Sequence, residues 1–281
     1  MSGGILPARP SLRDLREARV GLALGSGGAR GWAHLGAWAA LGEYGIAPCC
    51  IAGTSMGALV GAFLAAGRYE QLLEATRLMS TWRKALAFFF EVSPSVAGIT
   101  KARRVMHAVE DLLGVETFEE LPVPFACVAT DLRTGDPVVL SSGPLVPAIR
   151  ASIAIPGIFT PVELGSRTLV DGGLVDPVPV GAARKLGAGR VIAVDVSADA
   201  ISTPPVLPRP FPVDGAPNIV MRAIRIAESQ IAAAALRADP PDLLATPALG
   251  HIGTLDFHRS AEAIPVGHDT LAALLRALPG G

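Results

Sequence analysis

Gly53-Thr54-Ser55-Met56-Gly57 is the segment that leaves this chain the fewest backbone choices. The apolar stretch Pro48-Cys49-Cys50-Ile51-Ala52, short enough for a buried strand, runs into it. Ala58 to Ala66 runs out of it and reads as a helix ending at Gly67. A chain that passes from strand to helix so quickly has to turn sharply. Side chains in place of Gly53 or Gly57 would then collide with the neighbouring strand and helix. A serine at the apex sits on strained backbone, which is the context of a nucleophile elbow. The helix N-terminus beside it favours negative charge developing near the hydroxyl. The competing reading is an ordinary glycine-rich turn, and a pentapeptide in a chain with 31 glycines does not choose between them.

The rest of the chain repeats the strand-to-helix pattern. Val20 to Leu24 is a short apolar run, followed by Gly25-Ser26-Gly27-Gly28-Ala29-Arg30-Gly31 and a helix from about Trp32 to Tyr44. Tyr69 to Leu113 reads as helical with a break at Ser93-Pro94-Ser95. Strands are predicted over Pro124–Thr130, Asp136–Leu140, Thr168–Val170, Val191–Val196 and Leu243–Ala245. Helices are predicted over Leu145–Ser152, Asn218–Leu236 and Thr270–Leu278. Alternating strands and helices imply an α/β fold of three layers, a mainly parallel sheet with helices on both faces. No second core is visible. The expectation is a flexible segment over residues 1–19 and one domain over 20–281, with a proline-rich loop at 198–217. Ligands of such sheets bind outside the carboxyl ends of the strands. The glycine loop, Ser55 and Asp171 all fall at such ends.

A serine nucleophile needs a base and needs donors aimed at the oxyanion it creates. Consecutive glycines from Gly25 to Gly31 let several backbone N–H groups point at one spot. A dinucleotide loop is the other use of such glycines. Arg30 stands where that fingerprint wants its third small residue, and the next strand ends without an acid for a ribose hydroxyl. The base is open between two kinds of group. Asp171, followed by Gly172 and Gly173, is an acid at a strand end whose glycines permit close approach to another loop. The histidines are His34, His107, His251, His258 and His268; with Asp195, His251 or His268 could complete a Ser-Asp-His triad. Asp131 also ends a strand-like run, with nothing to rank it above a structural role.

Bulk properties narrow the setting. The chain has 281 residues, 50% of them hydrophobic and 17% charged, with a net charge of −1. Nothing in that balance favours nucleic acid. The mean hydropathy of +0.45 raises the question of a membrane span. The longest uncharged stretch, Tyr44 to Gly67, is long enough, but its centre suits a turn. Strands buried on both faces account for the apolarity better. Residues 1–19, broken by Pro7 and Pro10, lack the apolar centre of a signal peptide. Cys49, Cys50 and Cys127 lie in apolar runs and read as buried thiols of a reducing compartment, so the location expected is cytoplasmic. No metal-ligand spacing is present. Trp82 to Val105 mixes aromatic and cationic residues. It reads first as a helical cap over the site (82–106), and second as a helix that seats transiently on a membrane.

Three segments together resemble the patatin-like phospholipase family, in the bacterial branch related to lysophospholipases and neuropathy target esterase. They are Gly25 to Gly31 with Ala33-His34-Leu35-Gly36, then Gly53 to Gly57, then Asp171-Gly172-Gly173. Val128-Ala-Thr-Asp-Leu132 and Ala151-Ser-Ile-Ala-Ile-Pro-Gly157 are lesser matches. The resemblance implies a Ser55–Asp171 dyad without histidine, with the backbone of Gly27, Gly28 and Ala29 as oxyanion hole. It implies that Arg30 holds the loop and meets a phosphate group. It implies hydrolysis of fatty-acyl esters of lipids or lysophospholipids through an acyl-serine, with no metal or other cofactor. Two alternatives stand beside it: an esterase with the Ser-Asp-His triad, and a non-catalytic lipid-binding or regulatory protein.

Overall fold

The computed structural model describes residues 10–79, 81, 83–84, 102–199 and 215–280. Among these residues, eight strands form one sheet. They are β1 (Val20–Leu24), β2 (Cys50–Thr54), β3 (Phe125–Asp131), β4 (Pro137–Leu140), β5 (Val162–Leu164), β6 (Arg167–Asp171), β7 (Arg190–Val194) and β8 (Leu243–Ala245). The hydrogen-bonded path is β5-β6-β3-β2-β1-β7-β8, with β4 on β3. The β1/β2, β1/β7, β2/β3 and β7/β8 pairs are parallel, whereas β4, β5 and β6 pair antiparallel.

Both faces of the sheet are covered, as the unbroken apolar strands require. Along the parallel strands, side chains alternate between two cores, and a small third cluster of Ala129, Val138, Ala151 and Leu169 lies at the antiparallel edge. Leu22, Leu24, Ile51, Phe125, Ile192 and Val194 enter the larger core. There they meet α2 (Ala33–Glu43), α3 (Met56–Ala65), α4 (Tyr69–Leu78), α5 (Arg103–Leu113) and α6 (Leu145–Ser152). The intervening Ala23, Ala52, Val128, Val191 and Ala193 enter the smaller one with α7 (Val180–Lys185) and Ala232 of α8 (Ala216–Ala238). Alanines on that face let α7 pack close. A Cβ on Gly21 would lie 3.3 Å from the Ala183 methyl of α7 and 2.6 Å from the methyl of Ala188, just past that helix. Cys50 and Cys127 are buried and Cys49 is partly buried, all as free thiols.

Several elements depart from the sequence pattern. The last helix, α9 (Ser260–Arg276), begins ten residues before the expected Thr270 and runs through Pro265. Its packing offsets that lost hydrogen bond. A side chain on Gly267 would strike the Ala33 carbonyl, and one on Gly36 the Ile264 carbonyl, so α9 and α2 meet at backbone distance. Within the segment expected to be flexible, Leu12–Glu17 forms α1. Ser11 and Asp14 close a capping box there, and Leu12 and Leu15 are buried. The three residues of β5 and the six of α7 are too short to announce themselves. The break at Ser93–Ser95, most of the 82–106 cap and most of the 198–217 loop lie outside the described residues. No helix among the described residues is long and apolar enough to cross a membrane.

Candidate active site

The elbow forms as its glycines demand. A Cβ on Gly53 would overlap the Gly57 carbonyl, and one on Gly57 the carbonyl of Leu24 in β1. Ser55 sits between them at φ 55°, ψ −121°, a conformation L-residues rarely adopt. Such strain costs ~1–3 kcal/mol and persists only where the surroundings impose it. Here they do. The Ser55 N–H donates to Ser152 Oγ at 3.0 Å, and that hydroxyl donates to the Val128 carbonyl at 2.6 Å. Ser55 is 4% exposed.

Asp171 reaches Ser55 by a route the strand pattern conceals. Its strand, β6, is antiparallel to β3, so the rule about carboxyl ends of parallel strands does not place it. The register does. β4 occupies one edge of β3 over Cys127–Thr130. β2 occupies the other edge and stops at Thr54, opposite Val128. β6 takes over that same edge at the next rung, where Asp171 faces Ala129. β2 and β6 therefore meet end to end along β3, with Ser55 at one tip and Asp171 at the other.

Ser55 Oγ donates to Asp171 Oδ2 at 2.5 Å. Asp171 Oδ1 accepts the Gly173 N–H at 2.8 Å, which fixes the carboxyl plane. The Asp171 carbonyl accepts from Thr130 Oγ1 at 2.7 Å. Gly172 lies against the Val128 carbonyl and leaves no room for a side chain. Burial pushes the Asp171 pKa up to about 7, against the lowering effect of its bonds from Ser55 and Gly173. A carboxyl tuned so can accept a proton near neutral pH.

The glycine loop lies over this pair. Gly25 donates to the Val194 carbonyl and Ser26 to the Pro177 carbonyl. Gly28, at φ 56°, packs on Thr254 too closely for a side chain. Ala29, expected among the oxyanion donors, spends its N–H on the Thr254 carbonyl at 2.9 Å. Gly27 and Gly28 make no such bond among the described residues, so they are the loop's available donors. His34 is buried and bonds the Gly25 carbonyl at 2.8 Å. A carbonyl only accepts, so Nε2 carries the hydrogen. Burial drops the His34 pKa to about 4, which keeps the ring neutral. Arg30 is 1% exposed and donates to the Ile252 carbonyl at 3.3 Å. Its Nε, the Ser26 hydroxyl and the Thr254 hydroxyl are buried without a partner among the described residues. Burial, then Arg225, lowers the Arg30 pKa to about 9.

Ser55, Asp171, Gly27, Gly28 and Arg30 line one small cavity of about 20 Å³. Its roof is α8, which contributes Met221, Ile224, Arg225 and Glu228 at helical spacing. The sequence reading missed all four. Glu228 is the one the sequence could have flagged, as the sole acid of a 23-residue helix. A Cβ on Gly173 would lie 2.5 Å from Glu228 Oε1 and 3.1 Å from Asp171 Oδ1, so the two carboxyls are close neighbours. Burial and then the charge of Asp171 raise the Glu228 pKa to about 8. Arg30 and Arg225 oppose that shift.

The histidine alternative does not assemble. No histidine among the described residues lines the cavity. His251 bonds Glu262 at 2.6 Å, and His268 bonds Glu43 and Asp269. Asp195 Oδ1 accepts the Ser197 N–H, with neither histidine in reach. Asp131 caps its own turn through the Arg133 N–H and pairs with Arg167 at 3.9 Å. His107 is exposed on α5 and does not line the cavity.

Comparison with known proteins now decides the family. The patatin-like phospholipase family model matches residues 22–184. This chain belongs to the patatin-like phospholipase family. An uncharacterized NTE family protein of Mycobacterium tuberculosis is 44% identical over 191 residues, covering 68% of this chain and 52% of that protein. A lysophospholipase, NTE1 of Debaryomyces hansenii, is 33% identical over 200 residues, 68% of this chain but 13% of the yeast protein. The chain thus spans about half the length of the mycobacterial relative. The crystal structure of VipD from Legionella pneumophila shares the fold, with a TM-score of 0.51 at 15% identity over 93% of this chain and 67% of VipD.

Proposed function

We propose that this patatin-like protein is a serine acyl hydrolase acting on fatty-acyl esters of lipids or lysophospholipids through a Ser55–Asp171 dyad. The observation that carries the reading is the 2.5 Å bond from Ser55 Oγ to Asp171 Oδ2 inside a buried site whose described lining holds no histidine. Ser55 Oγ attacks the acyl carbonyl carbon as its proton passes to Asp171 Oδ2. The Gly27 and Gly28 N–H groups hold the oxyanion, and the buried Arg30 guanidinium adds positive potential beside it. The ester C–O bond then breaks. The alcohol leaves with the proton from Asp171, and water, deprotonated by the same carboxylate, releases the acid from Ser55.

A second cavity supports a long acyl chain as the substrate's apolar part. About 230 Å³ of space lies between α3, α4 and α5, lined by Trp32, Leu59, Phe63, Leu72, Val105 and Val109 among others. Leu59 and Phe63 stand one and two turns along α3 from Ser55, which is ~6 and ~12 Å at helical rise.

The test is fatty-acid release from lysophosphatidylcholine and from p-nitrophenyl esters of increasing chain length, with chelator present. Hydrolysis by the wild type, unaffected by chelator and absent in Ser55→Ala, is expected. A folded wild type inert toward the whole panel would sink the reading in favour of a lipid-binding role.

A further inference from the structure

Three of the five large hydrophobic side chains exposed among the described residues belong to one helix. Ile219 is 59% exposed, Val220 52% and Ile226 45%. That helix is α8, the roof of the catalytic cavity. Its other stripe, Met221, Ile224, Arg225 and Glu228, faces the dyad. Ordinary surface helices hide their apolar side and show a charged one. The first half of α8 is apolar on both.

The charges on it are sorted as well. Exposed between Ile219 and Ala227 are Ile219, Val220, Arg222, Ala223, Ile226 and Ala227. That face carries one positive charge and no negative one. The only acid of the helix, Glu228, is turned inward beside Asp171. Apolar side chains accompanied by arginine without acids suit the boundary of an anionic bilayer, where the alkyl groups enter the acyl region and the cation meets headgroups.

We propose that the outer face of α8 docks on an anionic lipid surface. The cavity beneath has room for about one water molecule, and α8 forms part of its wall. Docking at α8 places the lipid against the helix that walls the Ser55 cavity. The proposal rests on the acyl-hydrolase reading for its purpose, but docking itself is measured without turnover.

The experiment is co-sedimentation of the full chain with vesicles of phosphatidylcholine alone and of phosphatidylcholine mixed equally with phosphatidylglycerol. A Ser55→Ala background removes hydrolysis from the readout. The variants are the triple Ile219→Gln/Val220→Gln/Ile226→Gln, Arg222→Gln, and Leu132→Gln as an exposed apolar control elsewhere. Binding to the anionic vesicles is expected, reduced at least tenfold in the triple variant, reduced less by Arg222→Gln and unchanged by Leu132→Gln. Circular dichroism checks the fold of each. Should the triple variant misfold, Val220→Trp replaces it, and quenching of the added indole by brominated lipid is expected. Failure to bind anionic vesicles, triple-variant binding equal to wild type, or an added indole that brominated lipid leaves unquenched would each overturn the proposal. So would a dimer in solution that the triple variant dissolves, since a second copy would then be what covers the face.

Discussion

The floor and the roof of the cavity that holds Ser55 and Asp171 are built by different means. The floor is backbone. Gly53, Gly57 and Gly172 each rest against a main-chain carbonyl, and strand register brings Ser55 and Asp171 together. The roof is side chain. Met221, Ile224, Arg225 and Glu228 line the cavity from one helix. Backbone contacts of this kind have two outcomes, fit or clash, whereas side-chain contacts adjust. On the proposed mechanism, the difference separates what stays fixed for the proton transfer from what can adjust around a substrate.

Breaking the floor chemically has the largest expected effect. Ser55→Ala and Asp171→Asn each lower ester hydrolysis ~10⁴-fold or more, with the fold retained, in a steady-state assay. Breaking it sterically comes next. Gly172→Ala forces a Cβ onto the Val128 carbonyl and costs ~3 kcal/mol, read from the urea midpoint.

Asp171 also shapes stability, in the opposite sense to its proposed role as the base. Its pKa is 3.8 as a free aspartate side chain and about 7 in the fold. A raised pKa means that the folded state holds the proton more tightly. The contribution is therefore present below about pH 4 and lost as pH rises through about 7. Asp171→Asn escapes that loss, so the variant melts ~3 °C or more above wild type at pH 8, with the gap closing toward pH 4. On the proposed mechanism, catalysis runs the other way. The base must be ionised, so kcat/KM of the wild type rises with pH through about 7.

The roof gives the smallest effect and the sharpest contrast. Glu228, with its pKa raised to about 8, is protonated at pH 7, and glutamine mimics that form. Glu228→Gln leaves hydrolysis at pH 7 nearly unchanged and removes the change in rate that the second carboxyl causes above pH 8. A collapse of activity at pH 7 would move Glu228 from the roof into the machinery.

The floor was largely legible in the sequence because its constraints are local. Three glycine-bearing turns at strand ends are visible as Gly25 to Gly31, Gly53 to Gly57 and Asp171 to Gly173. Even there, two facts were not. The antiparallel arrival of β6 depends on pairing between distant strands, and the loss of Ala29 as a donor depends on Thr254, far along the chain. The roof was illegible as a roof. Asn218 to Leu236 reads as a helix, but a helix apolar on two sides has no period that says which side is covered. The start of α9 was hidden for a related reason. Pro265 and Gly267 look like breakers until α2 supplies the backbone-to-backbone contact that accommodates them.

The most direct test of the dyad is active-site labelling. The protein would be treated with a fluorophosphonate probe and the adduct mapped by mass spectrometry. The wild type would be compared with Ser55→Ala, Asp171→Asn and the triple His251→Ala/His258→Ala/His268→Ala. The account predicts an adduct on Ser55 that is lost in the first two variants and kept in the histidine variant. Labelling that survives Asp171→Asn, or that disappears with the histidines, would contradict it.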